Sequence, residues 1–356
     1  MSAPFTGFPR SGAQNAAPAG TNILTAASTD ARYNFEKIFS GQVMSYFEEA
    51  SVFLPLHSVI TIDHGKSASF AYVGRVGSSY LYPGEEINSK DIRTAEQIIS
   101  VDSKLASFTF VNDMDEMMNH FGLRDRYATE LSGALVRKFD RRVSSTLIRA
   151  ARCVDSSHTN GWSGTTTDPE DSTKQYGTQL RNGLMATDAQ TLIDQILKAA
   201  QTFEEKDVVS AARYCALRPA QHYMLVGDRT ALNKDWGGSG GLASGTLPEI
   251  GGIKLVKSNH IPSTDLSSVG TDNQFSDAST TAEVNDYRGD FTGTVGVIFT
   301  PDAVGTVRLR GMKLETETSV RYQGTLMVAS YVQGHGILNP RCSIELSTAA
   351  SAVYNP

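Results

Sequence analysis

Gly65-Lys66-Ser67-Ala68-Ser69-Phe70, Gly74-Arg75, Ser78-Ser79-Tyr80-Leu81-Tyr82-Pro83-Gly84-Glu85 and the return limb Ile92 to Val101 lie inside one stretch, Val59 to Asp155. Val59 to Ile62 can start a strand. Ser67 to Val73 alternates small residues with Phe70 and Tyr72, as one limb of a ribbon does, and Gly74 to Gly84 is turn-rich. Lys104 to Val111 then alternates cleanly, with Ala106, Phe108 and Phe110 on one face and Ser107, Thr109 and Val111 on the other. That pattern predicts a half-buried strand.

Asn112-Asp113 ends this strand and opens a helix, with Asp113 and Glu116 at capping-box spacing. Met117, Phe121, Ala128, Leu131, Leu135, Phe139, Val143 and Leu147 follow, mostly three or four residues apart. They form one apolar stripe on a rod of roughly 40 residues, about 60 Å long. Gly122 and Gly133 are its weak points. The far face carries Arg137, Lys138, Arg141, Arg142, Arg149 and Arg152, with Glu130 and Asp140 as local partners. Such a run is usually solvated surface; the functional alternative is a sequence-independent contact with nucleic-acid phosphates. A hairpin this long cannot bury its own faces and gains stability only against another chain. The pattern suits a protein that holds copies of itself.

Outward on the N-terminal side, Met1 to Gly20 is rich in Ala, Gly, Ser and Pro and reads as a flexible tail without the apolar core of a secretory signal. Tyr33, Phe35, Ile38, Phe39, Val43, Met44 and Phe47 predict an amphipathic helix through Ser51, with Asp30 as N-cap. On the C-terminal side, Ser156 to Gly183 reads as a long surface loop. Thr187 and Gln190 form a second capping-box pattern, followed by an amphipathic helix through Phe203. Arg213 to Leu217 predicts a strand, and Pro219 opens a short helix through Val226. Gly252 to Lys257 and Thr294 to Thr300 are strand-like, and Val269 to Asp290 between them reads as a loop. Lys313 to Arg321 and Leu326 to Val332 are strands, Gly334 to Pro340 reads as a tight turn, and Arg341 to Leu346 as a closing strand. The class is α+β, with the first part and the C-terminus sharing one sheet and a second unit inserted between them.

The formal net charge of −6 argues against a dedicated sequence-specific DNA-binding domain. Cys153, Cys215 and Cys342 lie far apart and read as reduced thiols in a cytosolic protein. No apolar run is long enough to span a bilayer, so no membrane partner is expected. Enzymatic motifs fail on context. Walker A needs another Gly where Ile60 stands, and no helix follows Lys66. Gly237-Gly238-Ser239-Gly240-Gly241 matches a nucleophile elbow literally, but no apolar strand precedes Ser239. The histidines, His120 and His335 among them, lack metal-ligand spacing. Neither catalytic residues, metal nor cofactor is expected.

The stretch from Gly65 to Ala151 resembles the major capsid proteins of tailed bacteriophages, most closely the short-tailed podovirus (autographivirus) group. The matching pieces are Gly65 to Phe70, Val73 to Arg75, Tyr80 to Glu85, Asp91 to Glu96 and Met118 to His120 with the helix beyond. A second match is Ala329 to Pro340, although Asn339 stands where that family usually has a basic residue. The resemblance implies the capsid-shell fold shared by tailed phages and herpesviruses, of Hong Kong phage type. Residues 1–57 would be an N-terminal arm, 58–103 an extended loop and 104–185 a peripheral domain with a spine helix. Residues 186–304 would be an axial domain, and 305–356 would complete the peripheral domain.

The resemblance further implies a structural subunit of pentamers and hexamers in an icosahedral head around double-stranded DNA. The head would be assembled in the host cytoplasm beside scaffolding and portal proteins, with a cement protein as a further partner. Tyr72, Arg75, Tyr80, Tyr82, Glu85 and Glu86 are the expected inter-subunit contacts of the extended loop, the tyrosines as anchors and the charges as register. Arg137, Lys138, Arg141 and Arg142 are the expected lumen- and DNA-facing basic residues. Lys66, Lys90 and Asn339 have the residue types of the cross-link some members of the fold make, without an evident acidic partner. The rivals are an encapsulin-like compartment shell of the same fold, a hydrolase built on Ser239, and a tail or decoration protein.

Overall fold

A computed structural model describes residues 51–73, 80–84, 86, 94–118, 123–153, 177–208, 212–228, 249–267, 285 and 287–349. The expected N-terminal tail and helix, Arg75, Glu85, Lys90, His120, Gly122 and Ser239 lie outside those residues.

Two sheets share one long helix. The first sheet has the order β1-β10-β11-β4, from Ser58–Thr61 (β1), Val304–Ser319 (β10), Gly324–Ile337 (β11) and Leu105–Asn112 (β4). β1 runs parallel to β10, and the other neighbours are antiparallel. The sixteen residues of β10 reach about 50 Å, and its pairing with β11 shifts register between Arg308 and Lys313. The second sheet has the order β5-β12-β9-β6-β8-β7, from Thr178–Arg181 (β5), Ser343–Ser347 (β12), Thr294–Phe299 (β9), Tyr214–Leu217 (β6), Ile253–Lys257 (β8) and Glu249–Ile250 (β7). Ser67–Val73 (β2) and Thr94–Ser100 (β3) form a separate antiparallel hairpin, with Ser67 opposite Ser100 and Val73 opposite Thr94.

Asp113–Met118 (α1) and Leu123–Arg152 (α2) are both helical, α2 with 30 residues over about 45 Å; residues 119–122 of the expected rod lie outside the described residues. Ala128, Leu131, Leu135, Phe139, Val143 and Leu147 are all buried, as the stripe requires. α2 packs on β4 and β11 of the first sheet and on β12, β9 and β5 of the second. One apolar cluster therefore runs through both, from Phe53 and Met327 to Phe299 and Ile344.

Ala189–Glu205 (α3) and Pro219–Gly227 (α4) pack on each other beside the second sheet, Pro219 at the first turn of α4. The cap of α3 lies one residue beyond the expected one. Asp188 accepts from the Thr191 amide at 3.1 Å, while Thr187 donates to the Leu184 carbonyl in the preceding turn.

Three expectations for the second half change. β5 lies inside the stretch read as loop, because its four residues carry too little alternation to stand out. β12 pairs with β5 and β9, so the last strand joins the second sheet. Gly334 to Ile337 is strand, not turn, and Gly305, Gly334 and Gly336 are there for clearance. A Cβ on Gly334 would overlap the Ser100 carbonyl, and one on Gly336 would stand 2.7 Å from Ile99. The hairpin base presses on the sheet at these glycines. Ile99, Val101, Val307 and Leu338 form a second apolar cluster there, joined by Ala68 and Phe70.

Candidate functional site

β2 and β3 pair with each other as a separate two-stranded sheet, and residues 80–84 and 86 lie between them in the chain. Tyr80 is 96% exposed, Tyr82 73% and Leu81 55%, and Glu86 is exposed too. Two tyrosines and a leucine so exposed cost solvation that burial against a partner would recover. The side chain of Tyr72 lies outside the described residues, as do Arg75 and Glu85.

A second apolar surface was not singled out from the sequence. β4 is an edge strand, and the alternation along it is inverted relative to simple hydrophobicity. Leu105 and Val111 are buried with Ser107 and Thr109 half-buried on their side, whereas Phe108 is 72% exposed and Phe110 46%. Phe108 sits opposite the half-buried Val328, and Phe110 opposite the half-buried Leu326. Glu315 and Glu317 follow in the same rows on β10. Beyond the strand ends, Met114, Met118, Val320 and Tyr322 are exposed too. The signal available in the sequence was two aromatics on one face of an edge strand, without a second apolar segment to cover them.

The cationic face of α2 divides. Arg137 is exposed and donates to Glu130 at 2.7 Å, while Lys138 and Arg141 are half-buried. Arg142, Arg149 and Arg152 are buried, contrary to their expected place on a solvated face. The reason is pairing. Arg142 NH1 stands 3.7 Å from Asp102 at the end of the hairpin, and its guanidinium lies over the Tyr287 ring. Arg152 makes a bidentate pair with Glu345 of β12, at 2.7 and 2.6 Å, and also donates to the Asp290 carbonyl. Asp140, expected as a surface partner, is buried. It accepts from Ser51 Oγ and from the amides of Val52 and Phe53, at 2.9, 3.1 and 3.4 Å. A helix with a second polar stripe and one with a buried ion-pair seam have the same spacing in sequence, since only the fold supplies the acids.

The seam is strongly perturbed electrostatically. Burial raises Asp140 to about 6 and lifts Asp102 above the usual carboxylate range, although Tyr287, Arg142 and Asn285 oppose the second shift. Tyr287 donates to Asp102 at 2.5 Å and accepts from the His335 amide at 3.0 Å, and burial first of all raises its phenol. Asn285 donates both to Asp102 and to the Ser100 carbonyl, so the hairpin end is bound from three directions. His335 is buried in the sheet, in keeping with a packing role.

A family model described as Gp10A-like major capsid protein matches residues 69–347. The chain belongs to that family. It is 27% identical over 333 residues to the major capsid protein of Enterobacteria phage T3, covering 87% of this chain and 90% of that protein. Among solved structures, the capsid of cyanophage P-SCSP1u is similar with a TM-score of 0.70 and 34% identity, over 85% of this chain and 89% of that one. The mature capsid of bacteriophage PhiM1, at 16% identity, shares the fold with a TM-score of 0.64, over 84% of this chain and 87% of that one. The fold is the capsid-shell fold of Hong Kong phage type, and the chain is a structural capsid subunit, part of a virion.

Proposed function

We propose that copies of this subunit close into the pentamers and hexamers of an icosahedral head that encloses double-stranded DNA. In this reading the arm of one copy seats on the uncovered sheet face of the next. The observation that carries it is the pair of exposed aromatic surfaces on one chain, Tyr80 to Tyr82 on the arm and Phe108 with Phe110 on the sheet. Each side chain fully buried across such a contact contributes about 1.5–3 kcal/mol before ordering costs. Tyr72 is a further anchor, and Arg75, Glu85 and Glu86 set register through charge. The arm reaches its neighbour only if another copy is present, which makes the interface self-reinforcing around a ring.

On the same reading, Arg137, Lys138 and Arg141 face the lumen and meet packaged DNA by weak, salt-screened phosphate contacts. Arg142 has no part in this, since its charge is spent on Asp102. Assembly takes place in the host cytoplasm beside scaffolding and portal proteins, and a cement protein would bind the finished shell.

Negative-stain microscopy tests the reading, on the chain expressed alone and with its phage neighbours. Closed shells or rings of five and six copies are expected, and the double change Tyr80→Ser with Tyr82→Ser should abolish them while leaving a folded monomer. A wild-type chain that stays monomeric beside scaffold would overturn it. Double-stranded DNA in particles from infected cells separates a genome-filled head from a cargo compartment.

A further inference from the structure

Where residues 51–57 meet the first sheet, the hydrogen bonds dictate the protonation of two buried imidazoles. His57 Nδ1 is 2.6 Å from the Phe53 carbonyl oxygen, and its Nε2 is 2.6 Å from Thr306 Oγ1. A carbonyl oxygen only accepts, so Nδ1 carries the proton. Nε2 of the neutral ring is then bare, and the Thr306 hydroxyl donates to it. With its hydrogen committed, Thr306 Oγ1 accepts from His335 Nδ1 at 2.8 Å. That leaves His335 Nε2 bare and buried, with no hydrogen-bond partner among the described residues. The relay closes in one arrangement, with both rings neutral and both protonated at Nδ1. A proton added at His57 Nε2 would turn two donors onto Thr306 and strand its hydroxyl hydrogen. A proton added at His335 Nε2 would bury an unpaired donor and a charge.

The surroundings reinforce that state. The Phe139 ring lies against both imidazoles, with centroids 6.0 Å from His57 and 5.1 Å from His335. Arg308 of β10 repels a charge on His57, and Arg142 of α2 repels one on His335. Asp102 at the hairpin end is committed to Arg142, Asn285 and Tyr287, and Asp140 of α2 to residues 51–53. Burial pushes His57 down to about 4 and His335 well below the ordinary histidine value.

We propose that the His57–Thr306–His335 relay is an acid-released clasp, fastening residues 51–57 to the sheet at neutral pH and freeing them when the imidazoles take up protons. The clasp therefore governs how tightly residues 51–57 are held to the sheet, and it does so within one subunit, whether or not copies assemble. The sign follows from linkage. A histidine held below its unfolded value of 6.5 contributes its full stability above that pH, and loses it as pH falls through the folded value of about 4. Asp140, raised to about 6, acts in the opposite sense. Its buried charge costs stability above that value and is relieved as pH falls.

Amide hydrogen exchange of the 51–57 segment in the full chain, from pH 7.5 to 4 and corrected for intrinsic rates, tests the proposal. Local opening is expected to rise as pH falls below the unfolded histidine value, by up to about tenfold per pH unit for each imidazole released and by less below about pH 6, where Asp140 takes up its proton. In the His57→Gln variant the rise should be markedly shallower, and in Asp140→Asn it should be steeper. Exchange in Ser343–Ser347 should not follow the same curve. Should the glutamine variant fail to fold, imidazole nitrogen NMR of the wild-type chain decides. Nδ1-protonated neutral rings at pH 7 with His57 titrating near 4 support the clasp. An Nε2-protonated His57, a titration near 6.5, or opening that is the same in wild type and His57→Gln overturns it.

Discussion

The face of the four-stranded sheet turned away from α2 has two halves that share β10 and β11. Over one half, the chain covers itself. The hairpin base lies on Val307 and Val332, with glycines at 305, 334 and 336 letting the backbones touch, and Ile99 closes a small dry core. Over the other half, Phe108 and Phe110 stand in water beside Val328 and Leu326. β10 and β11 run through both halves, β1 flanks the covered half and β4 the bare one, and the β10–β11 register shifts between Arg308 and Lys313. The halves also differ in their cover: glycines stand where the hairpin lands, whereas Phe108 is left 72% exposed among the described residues, and on the proposed reading a second copy covers it.

Removing the anchor of the covered half should have the largest effect. Asp102→Ala takes away the partner of buried Arg142 together with the acceptor of Tyr287 and Asn285. Breaking a buried ion pair from one side costs about 3–5 kcal/mol, which denaturant unfolding of the isolated subunit would read as a lower midpoint. Protease cleavage within residues 74–93 should accelerate in the same variant. A smaller loss would mean that the hairpin is seated by its apolar contacts and that the ion pair only fixes its angle.

Next comes the seat itself. Gly334→Ala places a methyl group against the Ser100 carbonyl and Val101 backbone. Lifting the hairpin or shifting the strand costs about 1–3 kcal/mol. The backbone at Gly334 is extended, so the penalty arises from contact and disappears if the hairpin is removed. Gly334→Ala in a chain with β2, β3 and the intervening residues replaced by a short linker would therefore be expected to cost little by comparison.

The covered half was partly legible in the sequence and the bare half was not, for physical reasons that the same residues show. The two limbs Ser67 to Val73 and Ile92 to Val101 announce themselves by alternation, and the stripe from Ala128 to Leu147 by period, because both patterns are local. Gly334-His335-Gly336 misled in the other direction. Two glycines flanking a histidine are the usual mark of a turn, and only the position of Ser100 and Ile99 explains why a strand needs them. Arg142 and Arg152 read as solvated because their acids, Asp102 and Glu345, are distant in sequence. That Phe108 and Phe110 stand on the exposed face is something alternation alone cannot reveal, since it shows that a strand has two faces without saying which is wet.

A change confined to the bare half should separate folding from assembly. Phe108→Ser removes an exposed ring with no intramolecular seat, so the unfolding midpoint of the monomer should move by no more than about 0.5 kcal/mol. Assembly should nevertheless fail or slow strongly, measured by sedimentation of co-expressed subunit and scaffold. A large loss of monomer stability would place the ring in an intramolecular core and dissolve the distinction between the halves.

The smallest effect is expected on the exposed part of α2, and it sharpens the contrast between a charge in water and one in the seam. Arg137 and Arg142 are five residues apart on one helix. Arg137 is paired with Glu130 where both side chains are about half exposed or more, at 49% and 74%. Such pairs contribute about 0–1 kcal/mol and are screened by salt, so Arg137→Gln should barely change unfolding. Arg142→Gln, by contrast, leaves Asp102 without its cation in a buried site and should cost several times more. If the exposed cations meet DNA in the filled head, Arg137→Gln would lower the salt concentration at which DNA-filled particles lose their genome on heating, with the empty shell unaffected. Equal behaviour of filled and empty shells would confine Arg137 to the helix surface and remove it from any contact with the contents.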